Sequence, residues 1–283
     1  MLQPSIFGSV LCVVLASAAW GQSAGPPSAA RLVPEKVGFE SASRPLGRLQ
    51  ERRAREQSED PKPTPGDRIE AYIAKPEGNG PFPAVLVLPR CDGLIPYVRE
   101  VLPQLLASWG YVALAVDSLT TRKVEQPCSS AAVDQFADAY GGLFYLARLP
   151  FVDRSRVAVL GIADGGRVAL TLAEVEGSDM VVNPEKLTFK AGIAYYPECG
   201  HTGDKVTFPV LIMIGRDDRW VRAKSCEDLM TRRAGDSAPT DLMVYPDTGF
   251  GFVERDYMYN AKPAEDSLRR AREFLARNLS SSR

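Results

Sequence analysis

The sequence predicts an α/β protein built on a mainly parallel, twisted sheet with helices on both faces. Three observations carry that expectation. From Pro83 onward, short β-branched apolar runs alternate with longer amphipathic stretches, which is the pattern of repeated βαβ units. The runs are continuously apolar, as strands buried on both faces require. One of them, Arg156–Leu160, passes through Gly161 into a glycine-rich turn and then a helical stretch. Right-handed crossovers put helices on both sides of such a sheet, and ligands then bind at the carboxyl ends of its strands.

Taken in order, residues 1–22 hold no charged side chain, and Ile6–Ala18 is an apolar run too short to span a bilayer. They read as a signal peptide, with small residues at Ala16, Ala18 and Gly21 for cleavage, so the chain is expected to be exported to the periplasm or beyond. Residues 23–68 are rich in Pro, Ser, Arg and Glu and read as an extended surface segment, within which Val37–Phe39 is able to add an edge strand. Residues 69–283 form one domain. Its expected strands are Ile69–Ala74, Ala84–Leu88, Val112–Val116, Arg156–Leu160, Ala191–Tyr196, Val210–Ile214 and Asp241–Tyr245. Its expected helices lie near Val98–Trp109, Ala131–Ala147, Asp164–Glu174, Ala223–Arg232 and Pro263–Leu279.

A formal net charge of −1 argues against a broad electrostatic footprint for nucleic acid or an anionic membrane, leaving a small molecule as the expected partner. No cofactor is expected, and no membrane span remains once the signal is removed. Removal of residues 1–22 takes Cys12 with it and leaves Cys91, Cys128, Cys199 and Cys226. An even count in an oxidising compartment favours disulfides, and four cysteines allow three connectivities.

The segment Gly161-Ile-Ala163-Asp-Gly165-Gly166 follows a strand and opens a helix, matching G-x-S-x-G everywhere except at the serine. In that turn the glycines are small because neighbouring backbone comes too close for a β-carbon. The central side chain carries the attacking atom. Here it is a methyl group, with no lone pair to attack a carbonyl and no proton for a base to remove.

The surrounding strings resemble the exported members of the dienelactone hydrolase family, within the α/β-hydrolase superfamily, from about Val37 to Leu279. The resemblance rests on Gly80-Pro-Phe-Pro-Ala-Val-Leu-Val-Leu, Trp109-Gly-Tyr-Val-Ala-Leu-Ala-Val-Asp-Ser118, Asp138–Ala147 with Pro150–Ala158, Tyr195-Tyr-Pro-Glu-Cys199, and Asp217-Asp-Arg-Trp220 with Cys226. It implies an α/β-hydrolase fold and a Cys or Ser nucleophile at position 163, which is Ala163. It implies a histidine where Phe250 stands in Tyr245-Pro-Asp-Thr-Gly-Phe250, and a retained acid at Asp218. Relatives read His-Gly-Cys-Gly-Gly after the first central strand, whereas this chain reads Pro89-Arg90-Cys91-Asp92-Gly93; the oxyanion-hole region would therefore lie at Arg90 and Asp164, with altered geometry. The resemblance further implies bridges from Cys91 to Cys128 and from Cys199 to Cys226.

Losing nucleophile and base together leaves a carboxylate with no imidazole to orient. The expectation is thus a catalytically impaired homologue that binds a small apolar ligand near Ala163, Phe250 and Trp220. The alternative is an active carboxylic-ester or lactone hydrolase with a non-standard site, in which Asp218 or His201, the sole histidine, polarises water. A lone histidine does not make a zinc site. Asp164 near a helix start is explained by the helix dipole.

Overall fold

A computed structural model describes residues 33–58, 60, 62–124, 128, 133–174, 180–255 and 257–280. The signal-peptide expectation, including Cys12, falls outside the described residues. The strands are β1 (Glu35–Glu40), β2 (Arg68–Ala74), β3 (Phe82–Leu88), β4 (Val112–Asp117), β5 (Val152–Ile162), β6 (Ala191–Tyr195), β7 (Val210–Gly215) and β8 (Thr240–Tyr245). They form one eight-stranded sheet in the order β1-β2-β4-β3-β5-β6-β7-β8. β1 and β2 run antiparallel to their neighbours, and every other pairing is parallel. Every residue of β4, β6 and β7 is buried, which is why these strands read as unbroken apolar runs.

The helices are α1 (Arg48–Glu56), α2 (Leu102–Ser108), α3 (Gln135–Arg148), α4 (Asp164–Glu174), α5 (Ala223–Arg232) and α6 (Ala261–Asn278). The chain leaves β3 toward β4 in one direction and returns past it to β5 in the other. Right-handed crossovers therefore put α2 on one face and α3 on the other. Contacts agree: α3 packs on α4, and Arg272 of α6 lies 5.9 Å from the ring of Trp109 beside α2. The reversal beside β3 and β5 opens a crevice at their carboxyl ends.

Four boundaries differ from the sequence reading, the first being α2, which starts at Leu102 rather than Val98, behind a π-helical turn over Tyr97–Val101. Residues 48–56 are helical rather than extended. Arg, Leu, Gln, Glu and Ala are all strong helix formers, the Gly47 amide donates to Oε1 of Gln50 at 3.0 Å, and Arg52 pairs with Glu56 four residues on. The segment buries no side chain, so the apolar pattern that signals other helices is absent. β5 starts at Val152 rather than Arg156, because Phe82 pairs with Val152 before a register shift. α3 starts at Gln135, capped by Asp134, whose side chain accepts from the Ala137 amide at 3.0 Å; the earlier part of its expected span, 131–132, is outside the described residues.

Candidate functional site

Ala163 stands at the apex between β5 and α4 with φ of +52°, a left-handed conformation that costs an L residue about 1–2 kcal/mol. The turn is held from both sides. The Ala163 amide donates to the Tyr195 carbonyl at 3.0 Å, and the Gly165 amide donates to that of Pro89 at 3.1 Å. A β-carbon on Gly161 would sit 1.9 Å from the Gly165 oxygen, and one on Gly165 would sit 2.4 Å from the Leu88 oxygen. Only glycine fits at either position, and the sharp turn that presents residue 163 follows from that packing.

The side chain so presented faces a cavity of about 320 Å³. One wall is aromatic: Tyr196 follows β6, Phe250 follows β8, and Tyr257 and Trp220 stand at the rim. The Phe250 ring centroid lies 4.7 Å from that of Tyr196, and 6.2 Å from each of Trp220 and Tyr257. Trp220 is 75% exposed, so it forms the mouth rather than the floor. The opposite wall is the loop after β3, with Arg90, Cys91 and Asp92, together with Cys128. Disulfides join Cys91 to Cys128 and Cys199 to Cys226. The first fixes the loop after β3, and the second ties the loop after β6 to α5.

Arg90, in the loop after β3, ties that loop to the aromatic wall. Its guanidinium lies 5.4 Å from the Phe250 centroid and 5.1 Å from that of Tyr257, over both rings. It pairs with Asp92 and with Glu254, each at 2.7 Å. Glu254 is fully buried, and its other oxygen accepts from the Tyr196 hydroxyl at 2.6 Å. Burial raises the Glu254 carboxyl above the usual range, against the opposing pull of Tyr196 and Arg90, and pushes the Tyr196 phenol well above its ordinary value. The sequence does not single out Glu254. The available signal was an acid placed directly after the apolar run Phe250–Val253.

Asp218 lies after β7 and is buried. Oδ1 accepts from the Trp220 and Val221 amides at 2.9 and 3.0 Å, whereas Oδ2 is buried without a partner among the described residues. Burial raises its carboxyl, against the lowering effect of those two amides. His201 is not brought to the cavity: its side chain is 93% exposed, and Nδ1 lies 3.1 Å from Oε2 of Glu198. A surface glycine-turn position, not a strand end, carries it outward. Asp164 does line the cavity, at the head of α4, where first-turn amides lack intrahelical partners. The cavity thus gathers Ala163, Phe250, Trp220, Arg90, Asp164 and the Cys91–Cys128 bridge, with Asp218 directly behind its Trp220–Val221 edge.

An eight-stranded, mostly parallel sheet with a glycine elbow after its fifth strand defines an α/β-hydrolase. Within that class, the profile of the dienelactone hydrolase family matches residues 69–279, and the chain belongs to that family. A Yersinia pestis protein provisionally named carboxymethylenebutenolidase is 26% identical over 254 residues, covering 76% of this chain and 86% of its own. An Escherichia coli K12 protein of the same provisional name is 27% identical, covering 75% and 84%. Among solved structures, a Klebsiella pneumoniae protein provisionally assigned as a dienelactone hydrolase aligns with a TM-score of 0.62 at 20% identity, covering 86% of this chain and 99% of its own. Esterase 2 of Thermogutta terrifontis aligns with a TM-score of 0.62 at 16% identity, covering 76% and 92%. These two likenesses concern the fold.

Proposed function

We propose that this dienelactone hydrolase family member is catalytically impaired, and that it uses the cavity beside Ala163 to bind a small apolar ligand after export from the cytoplasm. The observation that carries the reading is the methyl group at the elbow apex. An attacking group is missing at the one position the turn is built to present, and Phe250, at the position where the family resemblance puts the base, packs against Tyr196 with the two rings tilted by 58°. Ala and Phe at these positions remove polarity from the cavity, which favours an apolar guest over a polarised ester. Two disulfides, and no helix among the described residues long and apolar enough to cross a membrane, are consistent with export.

The test is an assay of the purified mature protein against activated aryl esters and lactones, beside Ala163→Ser and an Ala163→Ser/Phe250→His double variant. The parent is expected to show no turnover above background. The double variant is expected to exceed Ala163→Ser alone by at least about a hundredfold, since a positioned base contributes roughly 10²- to 10⁴-fold. Turnover by the parent that disappears in Asp218→Ala would overturn the reading.

A further inference from the structure

The charged groups around the cavity are not equally available. Arg90 is engaged by Asp92 and Glu254, and Glu198 is engaged by the Gly200 amide and His201. Two charged groups remain. Among the described residues, the Arg167 guanidinium and the Asp164 carboxylate have no hydrogen-bond or ion-pair partner. Both stand on the first turn of α4, three residues apart and so on one side of the helix.

A second cavity, of about 290 Å³, lies on the other side of these residues. It shares Cys91, Cys128, Asp164 and Arg167 with the first, so the disulfide and the unpaired Asp164 and Arg167 form the boundary between the two. The characters of the two spaces differ. The first is walled mainly by Phe250, Tyr196 and Tyr257, whereas the second mixes polar groups such as Thr171, Asp134 and Gln135 with apolar ones such as Phe136 and Val168.

From this juxtaposition of an aromatic cavity with an unpaired guanidinium and an unpaired carboxylate at its polar edge, we infer that the ligand is an N-acylated amino carboxylate with an apolar acyl group. The inference rests on the binding reading above, keeps its apolar guest as the acyl group, and adds to it a polar, charged end. The acyl group fills the space beside Phe250 and Tyr196. The ligand carboxylate pairs with Arg167, whose planar fork suits bidentate contact. The amide N–H donates to Asp164, which gives that carboxylate the partner it lacks. Arg167 is exposed and Asp164 half-buried, so a neutral hydrocarbon would leave both charges to water, and a simple aryl carboxylate would engage only one.

The experiment uses the full mature protein with both disulfides intact. N-phenyl-1-naphthylamine, a neutral dye that brightens in apolar surroundings, reports on the aromatic cavity alone. Calorimetry with N-benzoylglycine, N-benzoylglycinamide and benzoate reports on the polar edge. N-benzoylglycine is expected to displace the dye and to bind at least about tenfold more tightly than its neutral amide, the factor set by about 1.4 kcal/mol. Arg167→Gln is expected to erase that difference. Asp164→Ala is expected to weaken N-benzoylglycine and leave benzoate unchanged. Melting temperatures of the unliganded variants check that both remain folded.

Dye binding with equal affinity for N-benzoylglycine and its amide, or an unchanged preference in Arg167→Gln, overturns the inference and leaves the apolar-ligand reading standing. Failure of the dye to bind, together with no heat from N-benzoylglycine, overturns both.

Discussion

Nη1 of Arg90 lies 2.7 Å from Oε2 of Glu254, across 164 residues of chain. Glu254 is buried, and the guanidinium is its one cationic partner among the described residues. Removing one member of such a pair leaves an uncompensated buried charge, at a cost of roughly 3–5 kcal/mol, whereas replacing both with apolar groups is often close to neutral. Arg90→Met should therefore lower the stability measured by urea unfolding by about 3 kcal/mol, and Arg90→Met/Glu254→Met should recover most of the loss. Equal losses in the single and double variants would show that the pair is not what holds these loops together.

The orphaned Oδ2 of Asp218 has a consequence that depends on pH. Burial raises this carboxyl in the folded protein. The folded state thus holds the proton more tightly than the unfolded chain, and the associated stability is fully present below the ordinary carboxylate value of 3.8 and lost as pH rises through the folded value. Asp218→Asn keeps a side-chain oxygen for the Trp220 and Val221 amides and removes the charge. Its melting temperature relative to the parent should rise from pH 4 to pH 7, and a difference that stays flat or falls would refute the account.

The elbow glycines are separable from any chemistry. Gly161→Ala forces a β-carbon to 1.9 Å from a backbone oxygen and should cost more than about 4 kcal/mol, or prevent folding. Gly235→Ala, with nothing within 4 Å of the added carbon, should change stability by no more than about 0.5 kcal/mol. The comparison is read by thermal unfolding and soluble yield.

The Cys199–Cys226 bridge closes a loop with a sequence separation of 27 residues. On a chain-entropy view that contributes about 3–4 kcal/mol. Cys199→Ala/Cys226→Ala should lose close to that amount in urea unfolding, and the parent should lose more in dithiothreitol than the variant does, because Cys91–Cys128 is then the only remaining bridge the variant can surrender.

The strands were legible because parallel strands covered on both faces must be apolar at every position, and β4, β6 and β7 are. The elbow was legible because Gly161, Gly165 and Gly166 are demanded by contacts within a few residues or with the adjacent strand. α1 was not: its helicity comes from propensity and local pairing, and it buries nothing that would print a period on the sequence. The Arg90–Glu254–Tyr196 network was not legible either. Its members follow β3, β8 and β6, and only the sheet order brings those loops together. His201, expected in the alternative reading to polarise water, turns outward to Glu198 instead, since a residue several positions beyond the end of β6 is no longer aimed by the strand.

With one bridge at Cys91 and another at Cys199, the loops that follow β3 and β6 are stapled on either side of the cavity before any guest arrives. On the binding function proposed above, a guest entering past Trp220 would meet a mould already cast, so little chain freedom would be forfeited on association. Related guests should then share similar arrival rates and differ mainly in how long they stay.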